Sequence, residues 1–259
     1  MIRHPDGSAG DADYAVIGER YADFRRPEPR IAAQIAGVLG GAETVLNVGA
    51  GAGSYEPTDR DVTAVEPSAS MRAQRPAHLP RAIDACAEAL PFPDRSFDAA
   101  MATFSVHQWS DLKRGLAEMR RVTRGPIVLL SCDPVQVQTF WLNEYAPEVL
   151  SVEARRYPSS GALAEGLGGP VRRVPVPIPL QCRDGFNEAY FGRPEMLLRS
   201  DARSACSAWS FVTDDVAERS VARLRADLES GAWDATHGSL RRQAAYIGSL
   251  YLFVSNPTD

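Results

Sequence analysis

The chain has 259 residues, 44% of them hydrophobic, and a formal net charge of -5. That length fits one α/β domain, with or without a modest insertion, and the apolar fraction excludes wholesale disorder. The acidic balance, with arginine pairs scattered among acids, excludes a protein built to lie along a phosphate backbone.

Cys86, Cys132, Cys182 and Cys206 form no C-x-x-C pair and have no histidine at ligand spacing, so no metal site is expected. The polar, acidic start of the chain does not have the form of a signal peptide, and no apolar run is long enough to span a membrane. A soluble, reducing, cytoplasmic setting without nucleic-acid or membrane partners is the expectation.

In chain order, residues 1–13 read as a tail rich in Gly, Ala and Asp. Residues 14–40 read as helical with a break at Pro27 and Pro29, with Ile31, Ile35, Val38 and Leu39 at helical spacing and Gly40-Gly41 closing the segment. Short apolar runs then follow: Thr44–Val48, Asp61–Val65, a weak one at Arg81–Ala85, Phe97–Ala102 and Ile127–Leu130. Helical stretches such as Leu112–Val122 lie between several of them. Strands alternating with helices predict a parallel, doubly wound sheet covered on both faces.

Val171–Pro179 alternates apolar residues with Arg and Pro and predicts an edge strand. Residues 184–230 read as mostly helical, and Tyr246–Val254 as a last strand. The expected architecture is one domain over 14–259: N-terminal lid helices at 14–40, a core at 41–180 and 241–256, and a helical cap inserted at 181–240.

In open α/β sheets ligands bind beyond the carboxyl ends of the strands. The first strand runs directly into Gly49-Ala50-Gly51-Ala52-Gly53, where glycines let the backbone turn tightly and approach a ligand, and a helix following that turn would present its N-terminal amides to an anion. Glu66 ends the second strand, where a carboxylate can accept both hydroxyls of a ribose. A dinucleotide fingerprint would place glycine at position 54, which is Ser54. The tight G-x-G-x-G form suits a mononucleoside ligand with no pyrophosphate.

The run Ala87-Glu88-Ala89-Leu90-Pro91-Phe92-Pro93-Asp94-Arg95-Ser96-Phe97-Asp98 resembles the A-E-x-L-P-F-x-D-x-S-F-D motif of the methyltransferase type 11 family. Val65-Glu66-Pro67-Ser68 with Met71, and the helix ending Glu118-Met119-Arg120-Arg121-Val122, resemble that family too, so the likeness covers about residues 14–135. It implies a class I, Rossmann-like methyltransferase that binds S-adenosylmethionine and releases S-adenosylhomocysteine.

By that resemblance Gly49, Ala50 and Gly51 pass under the methionine and ribose, and Glu66 holds the ribose hydroxyls. Pro67, Ser68 and Met71 flank the adenine, with Cys86, Ala87 and Glu88 along its edge; Ala102 and Thr103 lie near the sulfonium. Tyr14, Tyr21 and Arg26 belong to the segment that closes over the cofactor, and Arg26 is the candidate partner of its carboxylate. Relatives usually carry an acid at the position of Asn47, to hold the cofactor's ammonium, and Asp at that of Cys86, to accept from the adenine amino group.

Methyl transfer is an in-line displacement in which the protein contributes alignment and desolvation. His107, after the fourth strand, is the candidate base, with Tyr21 the second candidate catalytic residue. The acceptor is expected to be a small molecule offering O, N or C, in the biosynthesis of specialised metabolites. The alternative is a protein of this fold that binds the cofactor without transferring its methyl group, or that uses it in a different reaction. Trp141, Tyr145, Tyr190, Phe191, Trp209 and Trp233 could line an acceptor pocket, although core packing is the commoner fate of such residues.

Overall fold

The computed structural model describes residues 24–257. Tyr14, Tyr21 and the tail at 1–13 lie outside the described residues. The helix Pro29–Leu39 begins where sequence chemistry favours it: the Glu28 side chain caps the amide of Arg30, proline occupies the first turn, and Ile31, Ile35 and Leu39 share the buried face.

The strands are β1 (Thr44–Val48), β2 (Asp61–Val65), β3 (Ala99–Thr103), β4 (Ile127–Cys132), β5 (Arg172–Pro175), β6 (Ile178–Pro179), β7 (Ala245–Tyr246) and β8 (Leu250–Ser255). Six of them form one sheet in the order β2-β1-β3-β4-β8-β5. The first four run parallel, and β8 lies antiparallel between β4 and β5. Two apolar layers cover this sheet. Val45, Met101, Val128 and Leu130 point into one, with Ile31 and Ile35 of the first helix. Leu46, Ala100, Ala102 and Leu129 point into the other, with Leu116, Met119 and Val122 of the helix Leu112–Val122 and Leu163 of Ser160–Leu167. Burial on both faces is why these strands read as continuous apolar runs.

Four expected elements change, one being the last strand Tyr246–Val254, which divides into β7 in a separate two-stranded sheet and β8 in the main one. Arg81–Ala85 shrinks to a single bridge between Ile83 and Val65. Val171–Pro179 divides: β5 is the edge of the main sheet, while β6 pairs with β7 in a separate two-stranded sheet. Val176 still donates to Leu250 of β8, so the missing amides of Pro175 and Pro177 fall on the outer side of β5, which suits an edge strand. Finally, no helix follows β1; residues 49–60 cross to β2 as a series of turns. Between Gly53 and Pro57 only three residues remain, too few to nucleate a helix.

The described chain carries more helix than a 181–240 cap. Pro134–Val137, Pro147–Arg156 and Ser160–Leu167 precede β5, whereas Ser200–Ser204, Asp214–Ser230 and Ala232–His237, with several 3-10 turns, lie between β6 and β7. Among the described residues no helix is long and apolar enough to cross a membrane.

Candidate functional site

β1 has β2 on one side and β3 on the other, so the chain reverses its direction of travel across the sheet there, and a crevice opens at the strands' carboxyl ends. A cleft of about 950 Å³, its open mouth included, occupies that position.

Its floor is the glycine turn. Gly49 and Gly51 have φ of 67° and 52°, and a Cβ on Gly49 would lie 2.7 Å from Cβ of Ser105. Glycine is therefore required there by both backbone and space. Glu66, at the end of β2, faces the turn: one carboxylate oxygen accepts from the amide of Gly51 at 2.8 Å, the other from the amide of Ser68 at 2.8 Å. Each oxygen keeps a further acceptor site. Burial raises the pKa of Glu66, while these amides and the charges of Arg72 and Arg75 pull it back.

Asn47 is fully buried on β1. Its amide donates to Glu56 Oε1 at 2.9 Å, and Glu56 pairs with Arg75 at 2.7 Å. Its carbonyl oxygen Oδ1 is buried with no partner in the chain.

Two residues at the cleft hold left-handed backbone conformations without being glycine: Tyr55 at φ 64° and Phe104 at φ 51°. Such conformations persist where the surroundings impose them. For Tyr55 the surroundings are explicit. Its hydroxyl donates to Asp184 Oδ2 at 2.8 Å, and Asp184 also pairs with the guanidinium of Arg25, which lies over the Phe104 ring at 5.1 Å. Burial and the Asp184 charge raise the Tyr55 pKa, so its hydroxyl remains a donor. The backbone of Phe24 and Arg25 pairs with Asp184 and Gly185, which straps the start of the described chain to the cleft wall at Arg25 and Asp184.

The 87–98 motif works as a clamp. Glu88 accepts from Ser110 and from the amide of Asp111, Glu118 accepts from the amide of Leu90, and Arg121 donates to the carbonyls of Leu90 and Phe92. Asp98 takes the amides of Glu43 and Thr44, which ties the start of β1 to that of β3; these bonds and Arg124 hold its pKa down at about 2. The motif thereby fixes the cleft wall carrying Cys86, Ala87 and Glu88 onto the helix Leu112–Val122.

Of the residues expected from sequence, Gly49, Ala50, Gly51, Glu66, Pro67 and Met71 line the cleft, as do Cys86, Ala87, Glu88 and Thr103. Ser68 lies beneath it, capping the helix Ala69–Ala73 through the amide of Met71. Ala102 is fully buried in the sheet. Arg26 is exposed, and it is its neighbour Arg25 that lines the cleft. Ser105, Gln108, Trp109 and Asp184 also line it and were not anticipated. The first three follow β3 directly, so the strand-end rule could have found them; Asp184 lies far along the chain and carried no signal.

His107 is not at this cleft. It lines a second cavity of about 500 Å³, which shares Arg25 and Phe104 with the first. Of the expected aromatic residues none lines either cavity. Trp141 and Trp233 pack edge to face at 5.4 Å, and Phe191 stacks on Tyr246 at 5.3 Å, as core residues do.

Residues 46–126 match the family model for a methyltransferase domain. Over 91% of its length the chain resembles a solved structure from Anabaena variabilis, described as a candidate methyltransferase of an antibiotic biosynthesis pathway, with 30% identity, a TM-score of 0.81 and all of that chain covered. It is also similar to two curated proteins: a methyltransferase of Bacillus subtilis called YcgJ and uncharacterized (32% identity over 91 residues), and the demethylmenaquinone methyltransferase of Renibacterium salmoninarum (36% over 101). These alignments take in 31% and 37% of this chain and span 36% and 42% of the respective relatives.

Proposed function

We propose that this chain, which belongs to the class I S-adenosylmethionine-dependent methyltransferases, holds that cofactor in the cleft at the ends of β1, β2 and β3 and methylates a small-molecule acceptor. The observation that carries this reading is the facing pair of glycine turn and Glu66. A nucleoside laid on the turn meets no Cβ at Gly49 or Gly51, and each Glu66 oxygen keeps one acceptor site for a ribose hydroxyl. Charge-assisted bonds of this kind are each worth about 1.5–3 kcal/mol.

The other residues fit the same ligand. Asn47 does not line the cleft, but its buried Oδ1, without a partner in the chain, is an acceptor left over behind it at the end of β1. Arg25, at the cleft and held by Asp184, is the cation for its carboxylate, in place of Arg26. Pro67, Met71 and Ala87 supply the apolar slot and backbone edge for adenine. The bound sulfonium would supply an electrophilic methyl group. Thr103 and Phe104 direct it toward the second cavity, and the strap through Arg25 and Asp184 limits access of water.

A small acceptor is favoured because the second cavity, about 500 Å³ with its mouth included, is of the size that holds a small organic molecule. The biosynthetic role named for the Anabaena variabilis protein is consistent with this. The test is to incubate the protein with methyl-labelled cofactor and a cell extract, then separate by mass. Label in the low-mass fraction is expected. Label found only in protein or RNA would overturn the small-molecule assignment.

A further inference from the structure

Resting on the cofactor assignment above, we propose that the second cavity is the acceptor site, that it takes a small aromatic alcohol of the phenol class, and that Glu153 receives the hydroxyl proton. The cavity borders the cofactor cleft along Arg25 and Phe104, so a molecule in it reaches the place where the methyl group would be presented.

Its walls are aromatic on two sides. Phe104 and Phe186 lie 5.5 Å apart, and His107 meets Tyr157 edge to face at 4.9 Å. Each pair is in mutual contact, and all four rings line the cavity, so an aromatic acceptor has ring edges and faces to pack against. The polar groups then select the nucleophile. Glu153 brings one carboxylate to the cavity, whereas Arg25 and Arg156 bring two guanidinium groups. Asp184 balances Arg25 and Glu153 balances Arg156, so the cavity holds no excess negative charge to draw an ammonium. A hydroxyl that gains negative charge as it reacts would be favoured by the two guanidinium groups.

Glu153 is held for this task by a relay. Trp209 donates its indole N–H to Asn187 Oδ1 at 3.0 Å, and Asn187 donates its amide to Glu153 Oε2 at 2.7 Å. One carboxylate oxygen is thus fixed by two successive directed bonds. This orientation is the reason to place the proton on Glu153 rather than on His107, which serves as a wall with Tyr157. Burial raises the pKa of Glu153, and Asn187, Arg156, Arg25 and Tyr157 pull it back.

The step balances. The acceptor oxygen forms a bond to the methyl carbon as the carbon–sulfur bond breaks and its electron pair stays on sulfur. The acceptor O–H bond breaks and its proton goes to Glu153. The cation and the carboxylate are consumed together, leaving a neutral thioether, a methyl ether and a carboxylic acid.

The groups that face Glu153 are Arg156 and Tyr157 from its own part of the chain, then Arg25, His107, Cys132, Cys206 and Glu188. The two thiols and Tyr157 are pushed upward by burial and stay neutral. A pH response therefore needs the Glu153→Gln control to separate Glu153 from His107 and Glu188.

The experiment titrates protein saturated with S-adenosylhomocysteine with para-cresol, 4-methylanisole and 4-methylbenzylamine. Para-cresol is expected to bind at least about tenfold more tightly than the other two, because only it donates a hydrogen bond without bringing positive charge. Its affinity should fall as pH drops and Glu153 protonates. Glu153→Gln should abolish both the preference and the pH response while keeping affinity for S-adenosylhomocysteine. Asn187→Ala, which keeps the carboxylate but frees it, should move the pH midpoint upward. Preference for the amine, absence of para-cresol binding, or an unchanged profile in both variants would overturn the proposal. Failure of S-adenosylhomocysteine itself to bind would instead strike the cofactor assignment.

Discussion

Asn47 donates its side-chain amide to Glu56 at 2.9 Å, and both side chains are buried. Relatives with an acid at the position of Asn47 keep the negative charge on β1. Here it stands on Glu56, balanced by Arg75 at 2.7 Å. Asn47→Asp would set two buried carboxylates against each other with one guanidinium to share. We expect the substitution to lower stability by about 2 kcal/mol and to leave cofactor affinity no better than wild type. Denaturant titration and calorimetry check this, and Glu56→Gln in the same background should restore stability.

Cys86 presents the opposite case. It lines the cleft at the position where the resemblance implies Asp, and a thiol is a weak acceptor. Cys86→Asp supplies a carboxylate for the adenine amino group, and calorimetry should show S-adenosylhomocysteine binding tightened about five- to tenfold. Unchanged or weaker binding would place the adenine edge elsewhere.

Asp184 holds Arg25 and Tyr55 together although Arg25 lies 159 positions away in sequence. Asp184→Ala leaves a mostly buried guanidinium and a buried hydroxyl without their acceptor. A loss of about 3 kcal/mol is expected. Cofactor affinity should fall with it, because Arg25 and the left-handed turn at Tyr55 both depend on this carboxylate. Chemical denaturation and a binding titration on the same variant read both effects.

Glu188 is buried outside both cavities, where desolvation raises its pKa from 4.5 to about 8 despite bonds from Ser249. The folded state then holds a proton that the unfolded state has released across this interval, so stability must fall as pH rises from about 4.5 to about 8. The expected loss is on the order of 3–5 kcal/mol, and Glu188→Gln should flatten it. Urea midpoints across this pH range, for both proteins, check the slope.

The sequence made the sheet legible wherever burial on both faces imposes an apolar run. β1, β2 and the helix Leu112–Val122 have the bounds read from their residues. It made Glu66 and the glycine turn legible because both sit at strand ends, where topology alone points to a ligand. It failed where tertiary neighbours decide. Glycine and proline left no room for a helix after β1, and no local pattern marks Arg25 over Arg26. The partner that distinguishes them, Asp184, arrives from the far side of the chain. Glu153 reads in sequence as an ordinary polar helix position; only the arrival of Asn187 and Trp209 gives it a fixed direction.

The most direct test of the central claim is calorimetric titration with S-adenosylmethionine, S-adenosylhomocysteine and NAD side by side, on wild type and Glu66→Ala. Micromolar binding of both sulfur nucleosides, silence with NAD, and at least about a tenfold loss in Glu66→Ala are the predicted result. Equal affinity of the two proteins, or binding of NAD alone, would contradict the assignment of the cleft.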